Sequence, residues 1–377
     1  MADGITAVVY NVTKELAKRG HEVAVLTSDM LNLHDSKSTR SGHSIINGVD
    51  VYYSKSIWRS KTFIATPGVF SLLSKKLSNY DVIHIHDCRS FQGVVAYLFA
   101  KAKHVPYVFQ PHGSYLPLLA GSQFTTAVKI ALDKLVGSGI IRNASKIIGL
   151  SQVEAAQYRS IGIPDENIAF LPNGLDLLEY CDLPSRGSFR KKFNISENTK
   201  IILYLGRIHK TKGIDLLINA YAYLVKTLKC TDVMLIVAGP DDGCLSELKS
   251  LAHSLGVSDS VLFTGFVNGE DKLCGLVDAD AFVTPSFFGF PMTFLEACIT
   301  GTPIVTTTLG DRLDWIDGKV GYVTSPKKID LANALHRLIS DDTLRAEFSG
   351  NGQKLVRAEF SLEAVVDKLE KVYAEVT

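Results

Sequence analysis

Residues 206–213 read GRIHKTKG and stand between an apolar run, residues 201–205, and an amphipathic run, residues 214–224. This order predicts a strand, a tight turn and a helix. The turn places the guanidinium of Arg207 and the ammonium of Lys212 five residues apart beside a helix N-terminus. A planar fork, a point charge and free backbone N–H groups together suit a diphosphate. A basic turn by itself is more often simply solvated, so this interpretation needs a second feature.

The second feature lies further along the chain, where residues 285–297 read PSFFGFPMTFLEA and residues 301–303 read Gly-Thr-Pro. The apolar run 281–284 predicts a strand that enters a Gly/Pro loop, followed by a short helix that carries Glu296. A carboxylate there can accept hydrogen bonds from two adjacent ribose hydroxyls, although a glutamate on a helix face is more commonly solvated. Two successive strand ends would then carry a diphosphate corner and a carboxylate, and open α/β sheets bind ligands at such ends.

Several further short motifs follow one another in a fixed order. They are Gly4-Ile5, residues 15–23 (ELAKRGHEV), residues 81–86 (DVIHIH), residues 111–113 (PHG), residues 172–176 (PNGLD) and Phe360-Ser361. Together with the basic turn and the Glu296 segment, their order and spacing resemble the retaining glycosyltransferases of family 4, also called group 1, over nearly the whole chain. The resemblance implies an α/β fold of the GT-B type, in which two Rossmann-like doubly wound domains face each other across a cleft.

The resemblance also implies roles for single residues. Arg207 and Lys212 would hold the diphosphate of the sugar donor, Glu296 would bind its ribose, and His112 would lie beside the reacting sugar. Gly4 would allow the backbone to approach the donor or the acceptor closely. The implied donor site is completed by Gly206, Phe266, Val267, Phe288, Gly289, Met292, Thr293 and Phe294.

One position departs from the family pattern. The family usually carries a glutamate eight residues before the ribose glutamate, where it contacts the donor hexose, but this chain has Phe288 there. Three explanations stay open: a neighbouring residue or backbone amide replaces the contact, the donor sugar differs, or the transferase is weakened. We favour the first, because backbone N–H groups in a Gly-rich loop can bind the sugar, although Pro291 removes one of them.

Histidines stand at two strand ends in the first half of the chain. His84 and His86 share one face of a predicted strand, because side chains alternate along a strand, and Asp87 follows it. We expect His86 and Asp87 to line the acceptor side of the cleft. His112 follows the predicted strand 107–110, either as a site residue or as a hydrogen-bonded structural histidine.

Length and composition exclude several classes of protein. A chain of 377 residues exceeds the size at which one core usually keeps growing, so two domains are expected. The net charge of +1 provides no general attraction to nucleic acid. The six cysteines form no CxxC pair, which argues against a zinc site or a disulfide framework and favours a reducing, cytoplasmic location. No apolar run reaches the ~18 residues that a transmembrane helix needs.

Strand-like and helix-like runs alternate through both halves, which predicts a parallel sheet in each half. The predicted strands are residues 23–27, 49–53, 82–86, 107–110, 146–150, 168–171, 201–205, 234–238, 261–264, 281–284 and 304–307. The Pro/Gly/Ser-rich segment 182–188 is typical of a linker.

These patterns divide the chain into three parts. We expect an acceptor-binding domain over residues 1–182, a nucleotide-sugar-binding domain over residues 189–358, and a last helix within residues 359–377 that crosses back to the N-terminal domain. The family's first strand is missing before Gly4. Because its absence would leave backbone groups of the neighbouring strands unpaired, we expect a truncated N-terminus.

Two patterns imitate metal sites. Residues 278–280 read Asp-Ala-Asp and resemble the DxD motif of metal-dependent transferases, but they stand just before a predicted strand and are expected to form surface caps. His84, His86 and Asp87 lack the further partner in sequence that zinc needs. We therefore expect no metal and no cofactor.

Residues 55–76 mix basic side chains with large apolar ones, including Trp58, Phe70, Lys75 and Lys76. Such a surface suits contact with an anionic membrane while a lipid-linked acceptor enters. The alternative is a loop and a helix that pack their apolar face inward.

The combined features predict a glycosyltransferase that moves a hexose-type sugar from a nucleotide-diphosphate sugar to a hydroxyl of a glycan or a lipid-linked acceptor. The resemblance implies retention of the anomeric configuration, and Arg207 and Lys212 would supply the positive charge that a metal supplies elsewhere. Two alternatives remain: a nucleotide-sugar epimerase, against which Phe288 counts, and a non-catalytic nucleotide-sugar binder. An oxidoreductase is disfavoured because no GxGxxG follows a strand.

Overall fold

The computed structural model describes residues 4–30, 40–59, 64–87, 90–112, 137–267, 269–287, 289–310 and 313–377. The chain divides into two compact units. Unit 1 comprises Met1–Gly174 together with Leu362–Thr377, and unit 2 comprises Leu175–Ser361. Unit 2 thus begins upstream of the Pro/Gly/Ser-rich segment 182–188, and the last helix lies in unit 1.

The strands of unit 1 form separate sheets. The strands are β1 (Ala24–Ser28), β2 (Gly42–Ile46), β3 (Val49–Ser54), β4 (Trp58–Arg59), β5 (Ile64–Ala65), β6 (Ile83–His86), β7 (Tyr107–Gln110), β8 (Lys146–Gly149) and β9 (Ile168–Phe170). One sheet has the order β1-β3-β2, a second pairs β4 with β5, and a third has the order β6-β7-β8-β9 with all strands parallel.

The sequence patterns missed β2, β4 and β5, which pair antiparallel with their neighbours. The β2 strand is mostly exposed at the edge of its sheet, so its residues lack the apolar alternation that marks a half-buried strand. The prediction of parallel strands alone in this half was therefore wrong.

The helices of unit 1 are α1 (Gly4–Lys18), α2 (Gly68–Lys76), α3 (Phe91–Lys103), α4 (Ser138–Arg142), α5 (Gln152–Ser160) and, from the end of the chain, α13 (Leu362–Ala374). Helix α1 buries Val8, Val12 and Leu16, which are spaced four residues apart on one face. These side chains share a core with Val108 of β7 and Val366 of α13. Each such side chain contributes about 1.5–3 kcal/mol to stability.

Unit 2 is built around one six-stranded parallel sheet. Its strands are β10 (Lys200–Leu205), β11 (Val233–Ala238), β12 (Val261–Gly265), β13 (Ala281–Phe287), β14 (Ile304–Gly310) and β15 (Gly321–Thr324), in the spatial order β12-β11-β10-β13-β14-β15. The central strands β10, β11 and β13 are buried almost throughout, which explains why they read as continuous apolar runs.

The helices of unit 2 are α6 (Ser188–Lys192), α7 (Ile214–Lys226), α8 (Leu245–Ser254), α9 (Gly269–Asp278), α10 (Met292–Thr300), α11 (Lys328–Ser340) and α12 (Asp342–Glu359). The chain runs outward from β10 to β12 on one side of the sheet, and then from β13 to β15 on the other. The strand order therefore reverses between β10 and β13. In open α/β sheets, ligands bind at the carboxyl ends of the strands on either side of such a reversal.

Strand β13 is longer than the predicted run 281–284, because it continues through Pro285 to Phe287. The pairing of β13 with β14 shifts register between Thr284 and Ser286. Proline cannot donate to a ladder and is tolerated at such irregularities, so Pro285 interrupts the pattern without ending the strand.

The expectation that Asp278 and Asp280 form surface caps was wrong, because both side chains are buried, with 0% and 3% of their surface exposed. Asp278 accepts hydrogen bonds from the backbone N–H groups of Gly187 and Arg190. Asp280 accepts from the N–H of Ile201 at 2.9 Å and faces the guanidinium of Arg190 at 3.4 Å. The two carboxylates anchor α6 to the start of β10, a structural role that burial makes strong.

The described helices include none that is both long and apolar enough to cross a lipid bilayer.

Candidate functional site

The basic turn lies where β10 ends and α7 begins. A single helical turn, Lys210–Lys212, follows His209, whose ring nitrogen accepts a hydrogen bond from the N–H of Thr211. Gly213 then takes a left-handed conformation with φ of 68°. A Cβ atom added to Gly213 would lie 3.1 Å from the Cβ of Pro285. Only glycine combines this backbone angle with so close an approach, so the turn packs tightly against the end of β13.

Arg207 and Lys212 differ in their surroundings. The side chain of Arg207 is 63% exposed, and its Nη1 donates to Oδ2 of Asp242 at 2.5 Å. Lys212 is partly buried, and burial first, then the nearby positive charge of Arg207, lower the pKa of Lys212. Two cations that disfavour one another in this way gain from an anion placed between them. The corner therefore has the charge arrangement of an anion site.

Asp242 is a residue that the sequence patterns missed. It stands in the loop after β11, where the isolated bridge between Ile208 and Asp241 holds this loop against the basic turn. Neither strand pattern nor motif marks this position, because the pair joins two loops that are distant in sequence. The carboxylate of Asp242 competes with any ligand phosphate for Arg207.

We predict that Asp242→Asn strengthens the binding of a nucleoside diphosphate by about two- to fivefold, since an exposed ion pair is worth at most about 1 kcal/mol. Isothermal titration of the wild type and the variant with the same diphosphate measures this change. Asp241→Asn is not a suitable control, because Asp241 caps α8 through three backbone N–H groups. Weaker binding by Asp242→Asn would show that Asp242 supports the anion site.

Glu296 projects from α10, the helix that follows β13. The residue is 9% exposed, and its Oε1 accepts from Nζ of Lys272 at 2.8 Å and from the hydroxyl of Tyr180 at 3.2 Å. Because β10 and β13 are parallel neighbours, the basic turn and the loop before α10 follow the same ends of adjacent strands. The sequence patterns missed both Lys272 and Tyr180, since nothing in their local sequence links them to Glu296.

The other residues expected in the donor site are placed as follows. Gly206 directly follows β10, Phe266 and Val267 follow β12, and Met292 and Thr293 open α10. Phe266 is exposed, whereas Met292 and Thr293 are half-buried.

Another expected donor residue, Gly289, lies in the loop before α10. Gly289 has a left-handed backbone with φ of 72°. Phe288 lies outside the described residues.

Phe294, which was also expected in the donor site, lies on α10. Its side chain is fully buried and packs against the rings of Phe282 and Phe287, with centroids 5.9 and 5.0 Å away. Its backbone N–H donates to the carbonyl of Pro291. The helix therefore turns the side chain of Phe294 into the core.

In unit 1, three histidines form a stack at the ends of β6 and β7. The rings of His84 and His86 lie 4.0 Å apart, as the shared strand face predicts. Nδ1 of His86 lies 2.8 Å from Nε2 of His112, and Nδ1 of His84 lies 2.8 Å from the hydroxyl of Tyr373 on α13. His112 is therefore hydrogen-bonded to His86, and the structure brings these two predicted residues together.

The histidine stack is neutral near pH 7. Burial lowers the pKa of His112 to about 4, and burial together with the neighbouring His112 lowers the pKa of His84 to about 3. Burial also lowers the pKa of His86 well below its usual range, and the two other histidines add to this. In the contact between His86 and His112, one ring nitrogen therefore donates and the other accepts.

The backbone at this place is unusual. Asp87 and His112 have left-handed φ angles of 69° and 51°, and the N–H of Asp87 donates to the carbonyl of Gln110. Positive φ angles are uncommon outside glycine and cluster at functional sites. Gly4, which was expected to let the backbone approach a ligand, is the first residue of α1.

Known protein families and structures match the chain over most of its length. The model of the family described as Glycosyltransferase Family 4 matches residues 2–178, and that of Glycosyl transferases group 1 matches residues 185–355. The uncharacterised glycosyltransferase MJ1607 of Methanocaldococcus jannaschii is 28% identical, over 95% of this chain and 90% of that protein. A D-inositol 3-phosphate glycosyltransferase of Actinosynnema mirum is 26% identical, over 99% and 92%.

The fold has solved counterparts. The crystal structure of HepE from Anabaena, in complex with UDP and glucose, superimposes with a TM-score of 0.73 at 19% identity, covering 99% of this chain and 96% of HepE. Sucrose-phosphate synthase from Thermosynechococcus elongatus gives a TM-score of 0.74 at 21% identity, covering 99% and 94%.

The parallel-sheet units and these counterparts define the GT-B fold. More closely, the chain belongs to the group 1 glycosyltransferases of family 4. It is thus an enzyme that transfers sugar from a nucleotide-sugar.

Proposed function

We propose that this glycosyltransferase moves a hexose-type sugar from a nucleotide-diphosphate sugar to a hydroxyl acceptor, with retention of anomeric configuration and without a metal. The observation that carries the proposal is the pairing of the Arg207/Lys212 corner with the carboxylate of Glu296 at the reversal of strand order. Family membership indicates the reaction class, and the positive charges of Arg207 and Lys212 indicate that the corner binds the diphosphate of the donor.

Transfer requires the bond between the sugar C1 and the diphosphate oxygen to break while the acceptor oxygen bonds to C1. Negative charge develops on the leaving diphosphate, and Arg207 and Lys212 would stabilise it electrostatically. The acceptor's proton would pass to an oxygen of that diphosphate as the acceptor attacks from the same face. The described residues include no group of three or more acidic, histidine or cysteine side chains suited to a metal ion.

For His112 we propose a hydrogen-bonding role toward the sugar. A neutral imidazole held by His86 can donate or accept a hydrogen bond, and it is not charged at pH 7 because burial lowers its pKa to about 4. In this scheme His112 forms no covalent bond to the sugar. The position of the family's hexose-binding glutamate is Phe288 in this chain, and it lies outside the described residues.

A donor screen followed by product analysis tests the proposal. In the presence of a chelator, UDP, GDP, ADP and their glucose or mannose derivatives are added in turn. The matching donor should raise the free energy of unfolding by about 2.7 kcal/mol at a concentration about 100-fold above its Kd. HepE binds UDP, and relatives are named for D-inositol 3-phosphate, so UDP-glucose and that acceptor begin the screen.

Product analysis then decides the finer points. NMR of the product's anomeric proton should show the donor's own configuration, formed with the chelator still present. An inverted product, or activity that disappears in chelator and returns with magnesium or manganese, would contradict the mechanism. Donor binding without turnover on any hydroxyl acceptor would favour the non-catalytic binder, and a changed sugar on the nucleotide would favour the epimerase.

We also propose that unit 1 contacts an anionic membrane through part of residues 55–76. Ile57 and Trp58 are 69% and 61% exposed, and Lys75 and Lys76 are exposed on α2. Val69 of the same helix is buried, so the alternative of an inward-facing apolar surface describes only part of the segment. Exposed aromatic and aliphatic side chains near lysines match the chemistry of an anionic bilayer surface.

We predict that the double variant Ile57→Ser/Trp58→Ser binds vesicles containing one-third phosphatidylglycerol at least about tenfold more weakly than the wild type, because inserting each side chain contributes about 1.5–3 kcal/mol. Co-sedimentation measures the partitioning. Leu178→Ser is the control, since Leu178 is equally exposed but lies in unit 2. Equal partitioning of wild type and double variant would refute the membrane contact.

A further inference from the structure

The carboxylate of Glu296 is held by two side chains from other elements of unit 2. Lys272 lies on α9, and Tyr180 ends a short helical turn, Leu177–Tyr180, at the start of the unit. Both donate to the same oxygen, Oε1, at 2.8 and 3.2 Å. Within the described part of the chain, Oε2 has no hydrogen-bond partner. One face of the carboxylate is therefore fixed and the other is left to accept.

In both of these hydrogen bonds Glu296 is the acceptor, and Tyr180 and Lys272 are the donors. Burial raises the pKa of Tyr180, and the negative charge of Glu296 raises it further, so the phenol keeps its proton and donates. Lys272 carries three N–H donors, of which one goes to Glu296. An ionised carboxylate in so buried a position needs such partners, since desolvation without them is costly. Together, the two residues hold Oε1 while Lys272 retains two donors.

A ribose hydroxyl is complementary to the groups that remain, which are Oε2 of Glu296 and the two other N–H donors of Lys272. Each hydroxyl has one proton to donate, which Oε2 can accept, and lone pairs that an ammonium N–H can fill. A deoxyribose would leave both the carboxylate oxygen and the ammonium short of a partner. A site built to hydrogen-bond a hydroxyl rejects the analogue that lacks it, because buried polar groups are left unpaired.

We propose that Lys272 and Tyr180 are positioning residues that orient Glu296 toward the donor's ribose, and that Lys272 makes the site selective for ribonucleotides over deoxyribonucleotides. This inference rests on the proposed function, because it takes Glu296 to be the ribose contact. It adds a specificity-determining residue that lies on a different helix from Glu296.

The experiment compares affinities for a nucleoside diphosphate and its 2′,3′-dideoxy analogue, using whichever of UDP, GDP and ADP binds the wild type most tightly. The ratio of the two Kd values, measured by isothermal titration in chelator, reports the ribose contact separately from the diphosphate contact. We expect a ratio on the order of 30 for the wild type, as for one hydrogen-bonded charged pair. Lys272→Met and Tyr180→Phe should each lower it at least about fivefold, while Lys272→Arg should largely preserve it.

A matched control separates positioning from general packing of α9. Lys192 also pairs with a carboxylate of α9, that of Asp271, at 2.6 Å, whereas Glu296 accepts from Lys272. Lys192→Met should leave the ratio unchanged, and melting temperatures of all variants show whether unit 2 stays folded. Tyr180→Phe removes only a hydroxyl, so it remains informative if Lys272→Met does not fold.

The outcomes are distinct. A ratio that stays at the wild-type value in both Lys272→Met and Tyr180→Phe would overturn the inference and leave these residues as structural. A wild type that binds the diphosphate and its dideoxy analogue equally would also overturn it, while the diphosphate corner would stand. If none of the three diphosphates bound the wild type, the proposed function itself would fail, and this inference with it.

Discussion

Lys212→Ala is expected to lower kcat/KM for the nucleotide-sugar about 10²–10³-fold, the usual loss when one group that stabilises transition-state charge is removed. Lys212 is partly buried, and its lowered pKa shows that burial and Arg207 disfavour its charge when no anion is bound. A bound diphosphate favours the charged form of Lys212. The lysine stabilises the diphosphate most strongly in the transition state, when negative charge develops on it as the leaving group. Arg207→Ala should also lower kcat/KM, but by a smaller factor, because Arg207 is exposed and paired with Asp242.

Binding measurements show which part of the donor is affected. Both variants should bind the nucleoside diphosphate more weakly and the free nucleoside with little change. Lys210→Ala is the matched control, because Lys210 lies in the same turn with its side chain exposed to solvent. Diphosphate affinity at the wild-type level in both Lys212→Ala and Arg207→Ala would remove the corner from the mechanism.

Asp280→Ala is expected to lower the free energy of unfolding of unit 2 by about 3–5 kcal/mol, the usual cost of leaving buried charges without their partner. The residue is 3% exposed, and its loss leaves the N–H of Ile201 without an acceptor and removes the carboxylate of Asp280 that faces the guanidinium of Arg190. Since Arg190 is itself buried, water cannot easily replace the carboxylate.

The chain offers both a probe and a control for this measurement. Trp315 is in unit 2 and Trp58 is in unit 1, so a Trp58→Phe background reports unit 2 alone by fluorescence during urea unfolding. Asp342→Ala removes an exposed carboxylate that pairs with Lys200, and it should lower the free energy of unfolding by less than about 1 kcal/mol. A loss of that small size for Asp280→Ala would mean that the buried network contributes little.

The sequence predicted those parts of the fold that local patterns encode. The buried strands of unit 2 are continuous apolar runs, and the turn from β10 to α7 is marked by Gly206, Gly213 and the basic residues between them. By contrast, β2 is exposed and short, and β13 passes through a proline, so their patterns were misleading. Burial of Asp278 and Asp280 was also hidden, because a carboxylate's partners are set by tertiary contacts.

The site was predictable to a similar degree. Motif spacing pointed to Arg207, Lys212, Glu296 and His112, each of which follows the end of a strand. Their partners were not predictable: Asp242, Lys272 and Tyr180 reach the site from other loops and helices. Burial of the Phe294 side chain was also hidden from the motif, which gives the order of residues along α10 but not the face of the helix that packs into the core.

The central claim is that the corner after β10 binds the donor through its diphosphate. The most direct test is a titration of the wild type, in chelator, with the preferred nucleoside diphosphate, the matching monophosphate and the nucleoside. We expect the diphosphate to bind at least about tenfold more tightly than the monophosphate, because the two cations Arg207 and Lys212 meet its additional charge. Equal affinities for the diphosphate and the monophosphate would contradict it.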